Sequence, residues 1–335
     1  MRRIVTALLL TALGAAPVSA QTKVGTTIGQ FLGIEPGART VGMGNAGAGL
    51  AEGIEAVYYN TGAMGTITRP ELLFTHGFWF ADIAYDYAAA AVPVQGVGTL
   101  FGSVTALNSG EIDVRTVDQP LGTGERYTVA DVAIGLGYGR KVTQRFAAGV
   151  QVNYVHERIW NSSLNYFTFN AGTVYQLTES GIKLGSVLTN LGTRSEYSGR
   201  DLAIQYDDSP GVFGDNSALP AEQFTGSFPV PILARVGLSV PYRIAPNQRI
   251  LVLLDALHPN DNTESVNAGA EWSWRDALSL RAGYQTLFQE DSELGATLGV
   301  GLRGDFVDRR FQFDYAWAGH EHLQETHRLT LVLEL

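Results

Sequence analysis

The chain has no cysteine among its 335 residues, which excludes disulfide stapling and anchoring through a lipidated N-terminal cysteine. It is short of basic residues, with 23 Lys and Arg against 33 Asp and Glu and a net charge of −10. The acidic residues are spread through the chain, so no nucleic-acid partner is expected. Beyond the N-terminus, no stretch approaches the ~18 uninterrupted apolar residues of a membrane-spanning helix. That absence excludes helical spans only. Strands that alternate apolar and polar residues cross a bilayer while averaging near neutrality, and the mean hydropathy is +0.03. A nucleophile elbow, a phosphate loop with its lysine, and acids paired by pattern in a cleft are also missing. No enzymatic activity, cofactor or metal is therefore expected.

What is present begins with a leader. Arg2 and Arg3 precede an apolar run over 4–13, and Val18-Ser19-Ala20 places small residues at −3 and −1. These features describe a secretory signal peptide over 1–20, with the mature chain starting at Gln21 and its charge falling from −10 to −12. Residues 21–68 then form an N-terminal extension and plug, and 69–335 form a wall.

The wall is read from period-two alternation. Fourteen strands are expected, at about 70–80, 83–94, 98–109, 127–140, 145–158, 163–178, 181–192, 230–243, 248–257, 264–274, 278–287, 294–304, 309–318 and 325–335. In Phe311-Gln312-Phe313-Asp314-Tyr315-Ala316-Trp317 every second residue is a large aromatic and its neighbours are polar or small. Leu294, Ala296, Leu298, Val300 and Leu302 similarly oppose Gly295, Thr297, Gly299, Gly301 and Arg303. Such faces are aggregation sites in water but are the solvated faces in lipid. The connections alternate too: short ones follow even strands, and the long ones, 110–126, 193–229 and 258–263, follow odd strands. Outer-membrane barrels have this asymmetry, with short periplasmic turns and long external loops. The fold expected is an all-β transmembrane antiparallel barrel of about fourteen strands in the outer membrane of a Gram-negative-type bacterium, with lipid and lipopolysaccharide around it.

Residues 37–64 are rich in Gly and Ala and neither alternate nor form an amphipathic run. They need a container, and a compact plug inside the barrel is the expected arrangement, small residues letting backbone approach the wall. The alternation turns Asp131, Arg235, Arg281, Arg303, Asp314, Arg328 and Glu334 inward. A narrow lumen desolvates these charges unless they pair with one another or with Arg39, Glu52 and Glu55. Salt bridges pinning plug to wall and a substrate path are both open readings.

The plug stretch also carries a family resemblance. Gly37-Ala38-Arg39 followed by Gly42-Met43-Gly44, then Ala56, Asn60, Gly62 and Ala63, resembles the N-terminal signature of the PorV/PorQ family of FadL-like outer-membrane barrels. The likeness continues through 82–114, where a strand pair is followed by Ser109-Gly110-Glu111-Ile112. Asn60-Thr61-Gly62-Ala63 stands where the family has Asn-Pro-Ala-Gly, losing a proline turn. The resemblance implies a binding or shuttle component of type IX protein secretion and surface attachment, with secreted cargo and secretion machinery as partners. The alternative it implies is a FadL-like transporter for hydrophobic small molecules, in which the plug shifts and a kinked early strand opens the wall sideways. Gly98, Gly102 and Gly110 would permit such a kink.

Three further features are weighed and set lower. Gly299-Val300-Gly301-Leu302-Arg303-Gly304 matches a dinucleotide fingerprint but lies in an alternating strand without a following helix, so its inward glycines are read as room for the plug. His320, His322 and His327 lack the spacing that fixes a third metal ligand, and an exposed loop edge is the preferred reading. The loop over 193–229, with Asp201, Asp207, Asp208, Phe213, Asp215, Glu222 and Phe228, is an external cap or a docking surface.

Overall fold

A computed structural model describes residues 23–212, 218–289, 292–307 and 309–335. The expected leader at 1–20, and Phe213 and Asp215 of the long loop, lie outside the described residues. Fourteen antiparallel strands form the wall. They are β1 (Glu71–Phe78), β2 (Ala84–Val94), β3 (Gly98–Asn108), β4 (Val129–Lys141), β5 (Phe146–Ile159), β6 (Ser162–Gln176) and β7 (Lys183–Gly192). The second half comprises β8 (Leu233–Ala245), β9 (Gln248–Pro259), β10 (Ser265–Trp274), β11 (Leu278–Leu287), β12 (Leu294–Phe306), β13 (Arg309–His320) and β14 (Thr326–Glu334). Each pairs with its sequence neighbours, and Glu71–Phe78 pairs with Glu334–His327, which closes the cylinder. Closure leaves no unpaired edge, the condition for a sheet to sit in hydrocarbon.

The pleat sorts the side chains as the alternation requires. Leu298, Leu302, Phe311, Phe313, Leu280, Tyr284 and Leu331 are exposed on the outside, while Thr297, Arg281, Gln285, Gln312, Asp314 and Thr330 are buried inside. Even strands end in short turns such as Val94 to Gly98 and Ala245 to Gln248. The longest connections follow odd strands, and two of them carry small hairpins, Ile112–Asp113 with Arg126–Tyr127 and Ala203–Tyr206 with Leu219–Glu222. The expected strand over 230–243 starts instead at Leu233, because Val230 and Pro231 turn inward and are buried.

Residues 37–64 lie within the cylinder as short helical turns, Ala38–Val41, Ala56–Tyr59 and Thr61–Thr66, and almost every one of them is buried. Asn60 holds the turn that leads into Thr61–Thr66 by hydrogen bonding. Its Oδ1 accepts from the Gly62 N–H at 3.0 Å, and its Nδ2 donates to the Ala48 carbonyl at 2.7 Å and to the Thr173 carbonyl of the wall at 2.9 Å. Met43, Ala46 and Leu50 pack on Leu251 and Leu253, inward residues of β9.

The inner segment comes closest to the wall at wall glycines. A Cβ on Gly269 would collide with the Met43 carbonyl, and one on Gly283 with the Gly44 backbone N–H. Gly44 itself is left-handed at φ +67°, a conformation that costs an L-residue. Gly299, one of the inward glycines read as room for the inner segment, also lies close against Gly42. Gly269→Val is expected to cost at least about 1–3 kcal/mol through overpacking and to loosen the inner segment. Faster cleavage of 37–64 by added protease, with β content by circular dichroism unchanged, checks it.

Candidate functional site

The inner segment separates two spaces that share no lining residue. On the side of the short turns is a polar vestibule of about 750 Å³, lined by Arg39, Glu52, Glu55, Arg249, Arg303 and Glu334 among others. On the side of the long loops is a cavity of about 210 Å³.

The floor between them is held by an ion network centred on Glu271 of β10. Its Oε2 accepts from Arg39 Nε at 2.9 Å and from Arg281 Nε at 2.7 Å, and its Oε1 accepts from Arg39 Nη2 at 2.8 Å. Arg281 continues to Asp314 Oδ1 at 2.7 Å. Arg39 also reaches Glu52 at 3.1 Å, and Glu52 in turn pairs with Arg249 at 3.1 Å. Burial works to raise the Glu52 carboxyl, but Arg39, Arg249 and Lys183 outweigh it and hold the group at about 2. Glu55 makes no ion pair among the described residues: it accepts from the Thr40 N–H at 2.8 Å and the Thr40 hydroxyl at 2.7 Å, and burial followed by repulsion from Asp314 pushes it up against the smaller pull of Thr40 and Arg39. Nearer the loops, Asp255 Oδ2 accepts from the Gly47 and Ala48 N–H groups, each at 2.8 Å. This network ties one short segment to β9, β10, β11 and β13, and it leaves Glu55 Oε2, Asp255 Oδ1 and Arg249 Nε buried without a partner among the described residues, a cost the remaining ion pairs offset.

The loop-side cavity runs from Asp261, Asn262 and Gln289 in the connections down to Tyr58 and Tyr59 of the inner segment. Its wall is a girdle of side-chain hydrogen bonds passing from strand to strand. Gln151 donates to Ser103 at 2.8 Å, Asn170 to Gln151 at 3.0 Å, the Asn190 N–H to Asn170 at 2.7 Å, and Asn190 Nδ2 to the Pro231 carbonyl at 3.2 Å. Gly135 makes the girdle possible, since a Cβ there would collide with both Gln151 and Asn153. The apolar lining comes from Leu32, Tyr58, Tyr59, Tyr87 and Ala133, and the charged lining from Arg235 and Glu35, paired at 2.9 Å.

No family model and no curated protein sequence matches the chain. Solved structures do. The Pseudomonas putida toluene transporter TodX superposes with a TM-score of 0.55 at 12% identity, covering 90% of this chain and 97% of the transporter. The CymD monoaromatic hydrocarbon channel gives 0.53 at 11% identity, over 89% and 96%. The chain shares the fold of FadL-like outer-membrane channels.

Within that FadL-like fold the residues singled out from sequence fall into separate groups. Gly37, Arg39, Gly42, Met43, Gly44, Asn60 and Gly62 are all in the buried inner segment. Arg281 and Asp314 meet in the Glu271 network, Arg235 pairs with Glu35, and Glu334 lies 3.8 Å from Arg310 at the vestibule rim. Arg303 hydrogen-bonds the Gln312 side chain, and Arg328 donates to the Glu35 carbonyl at 2.8 Å with its guanidinium 5.0 Å from the Trp79 ring. Asp131 lies apart, opposite Glu157 in the β4–β5 register near the outer end, with no ion pair among the described residues.

At Gly98 and Gly102 the wall is closed. β3 pairs with β2 over Gly98–Asn108 and with β4 over 99–108 without a register shift, and Gly110 lies beyond the strand at φ +68°. Register shifts that border the cavity are in β6–β7, between Phe169 and Ala171, where Asn190 is left-handed at φ +59°, and in β10–β11, between Val266 and Ala268, where Thr286 is left-handed at φ +51°. The histidines do not converge: His322 pairs with Glu293 at 2.9 Å, His327 faces the Tyr315 hydroxyl at 2.8 Å, and His320 is 3.4 Å from Thr326.

Sequence reasoning missed Glu271, Asp255, Glu35 and the amide girdle. Glu271 was recoverable, since Trp272 and Trp274 on the outward face put Glu271 and Ser273 inward. Glu35 carries no such signal, because it lies outside any periodic stretch.

Proposed function

We propose that this protein is an outer-membrane transporter that admits a small, largely hydrophobic molecule from the outside into the loop-side cavity, with the inner segment as the barrier to onward passage. The observation carrying this reading is the cavity itself, a space that reaches from the loop connections to a floor of tyrosines. The likeness to a toluene transporter and a monoaromatic hydrocarbon channel supports it at the level of fold. Concave, partly apolar spaces with a few fixed polar groups are where small ligands bind. The secretion role implied by the PorV/PorQ resemblance rests on the motif alone, and none of these neighbours is a secretion component.

The test is uptake. Cells expressing the protein are expected to take up a radiolabelled single-ring aromatic severalfold faster than cells without it. Ala133→Phe, which fills the cavity from the inward face of β4, is expected to return the rate to background while the barrel level in the outer membrane stays the same. Equal uptake with and without the protein overturns the proposal.

A further inference from the structure

Resting on the transport reading, the wall shows where the loop-side cavity meets the membrane. We propose that the seam between β7 and β8, over 190–194 and 229–232, is a side port through which a hydrophobic molecule passes between the outer leaflet and the cavity, and that residues 26–32 latch it from inside.

The seam is a gap in the ladder. β7 and β8 pair from Lys183 with Ser239 up to Thr189 with Leu233, and beyond that the two chains meet again at Ser195 and Phe228. Between those points no backbone hydrogen bond joins 190–194 to 229–232 among the described residues. At ~3.3 Å per residue the gap runs roughly 15 Å along the strand, longer than one aromatic ring. Backbone outside a ladder is tolerated at membrane depth only where protein buries it or a cavity lies behind it. Here Thr189, Asn190, Pro231, Ile232 and Leu233 line the cavity, while Leu188, Leu191 and Phe167 are exposed on the lipid face of the adjoining strands.

The local sequence keeps the gap from being costly. Pro229 and Pro231 have no N–H, so two of the four residues on the β8 side leave no donor unmet. The Ile232 N–H turns back to the Val230 carbonyl at 3.0 Å, and Asn190 spans the gap with one side-chain bond, from Nδ2 to the Pro231 carbonyl at 3.2 Å. Parting β3 from β4 near Gly102 would instead break a ladder that runs without a register shift over 99–108.

The latch comes from the N-terminal extension. The Ile28 N–H donates to the Pro229 carbonyl at 3.0 Å, and Ile28, Phe31 and Leu32 pack behind the gap in one cluster with Val230, which is 1% exposed. Thr27 and Gln30 fix the same segment to Asp261 at 2.6 and 2.8 Å. These are single bonds rather than a ladder, so the segment withdraws at less cost than a strand leaves the wall.

The chain has no cysteine, which allows thiol pairs to test the seam. Asn190→Cys with Pro231→Cys is tied across the gap by a short reducible bis-thiosulfonate linker. Ala88→Cys with Val104→Cys, register partners on β2 and β3 near Gly102, is tied likewise as the control. The seam tie is expected to lower toluene uptake by cells at least about tenfold, as locking out a minor open state does, and reduction is expected to restore it. The control tie is expected to keep uptake within about twofold, as is Asn190→Cys carrying a one-armed thiosulfonate of the same length, which adds the bulk without the tie. Uptake that survives the seam tie, or that falls equally with either control, would overturn the proposal. A second readout needs no transport. A maleimide tethered to a lipid acyl chain, measured against a water-soluble one, is expected to label Asn190→Cys at least about tenfold faster than Ser103→Cys, although both positions line the cavity. Adding Ile28→Ala is expected to speed that labelling further, and an unchanged rate would remove the latch. Equal labelling of the two positions would overturn the port. Absence of toluene uptake by the intact protein would sink the transport reading, and the labelling ratio would then decide the port by itself.

Discussion

Deletion of residues 37–64 is expected to turn a closed barrel into a conducting one. Barrels of about eight strands are filled by their own side chains and those of 16–18 strands leave an aqueous channel. A wall of fourteen therefore needs something else to close it. Here the cross-section is occupied by the inner segment, which separates the cavity of about 210 Å³ from the vestibule of about 750 Å³. Removing it joins the two and leaves Glu271, Arg281, Asp314 and Asp255 facing water, where charge is well tolerated, so the wall is expected still to insert. Single-channel recording in planar bilayers reads the result: discrete open steps for the deletion and none for the intact protein. A deletion variant that inserts but does not conduct would show that the loops, not the inner segment, close the lumen.

The second large effect is expected at Glu271. This carboxylate serves two buried guanidinium groups, Arg39 at 2.8 Å and Arg281 at 2.7 Å. Glu271→Gln keeps the shape and removes the charge, which leaves both cations less than fully compensated. Breaking a buried pair in this way costs about 3–5 kcal/mol. Arg249, further out at 3.5 Å from Glu271 and about a third exposed, provides the contrast, and Arg249→Ala is expected to cost less than about 1 kcal/mol. The measurement is denaturant unfolding of the purified barrel, with the inner segment's protease sensitivity alongside. Equal losses for the two variants would mean that water already fills the network.

The wall was legible because its rule is local. Alternation in 311–317 needs no partner to be read, and the same holds for Leu278–Leu287, whose expected and observed limits coincide. Short turns after even strands then gave an independent test of the count. The start of β8 was misplaced because Val230 and Pro231 are set by contacts from afar: the Pro229 carbonyl accepts from the Ile28 N–H, and the Val230 carbonyl accepts from Asn260. β9 held a signal that went unused. Ile250 to Leu254 is apolar on both faces, and a strand that is greasy inside as well as outside marks where something packs in the lumen. Met43, Ala46 and Leu50 pack there.

The site was legible only as a set of inward charges. Their grouping was not, since which inward residue meets which depends on the stagger of the strands around the cylinder and on the path of a segment with no periodicity. Glu35 and Arg235 are 200 residues apart in the chain, and Arg39 and Glu271 are 232 apart.

By itself the sequence determined that this chain is a membrane barrel with a segment too small-featured to stand alone, because period-two patterning and the lack of side-chain bulk are properties of neighbouring residues. Only the tertiary structure decided that the segment rests on Glu271, that Asn60 ties it to the wall, and that Glu35 pairs with Arg235 beside the loop-side cavity. Those depend on closure of the sheet, which brings distant strands to one axis and takes water away from the groups that meet there.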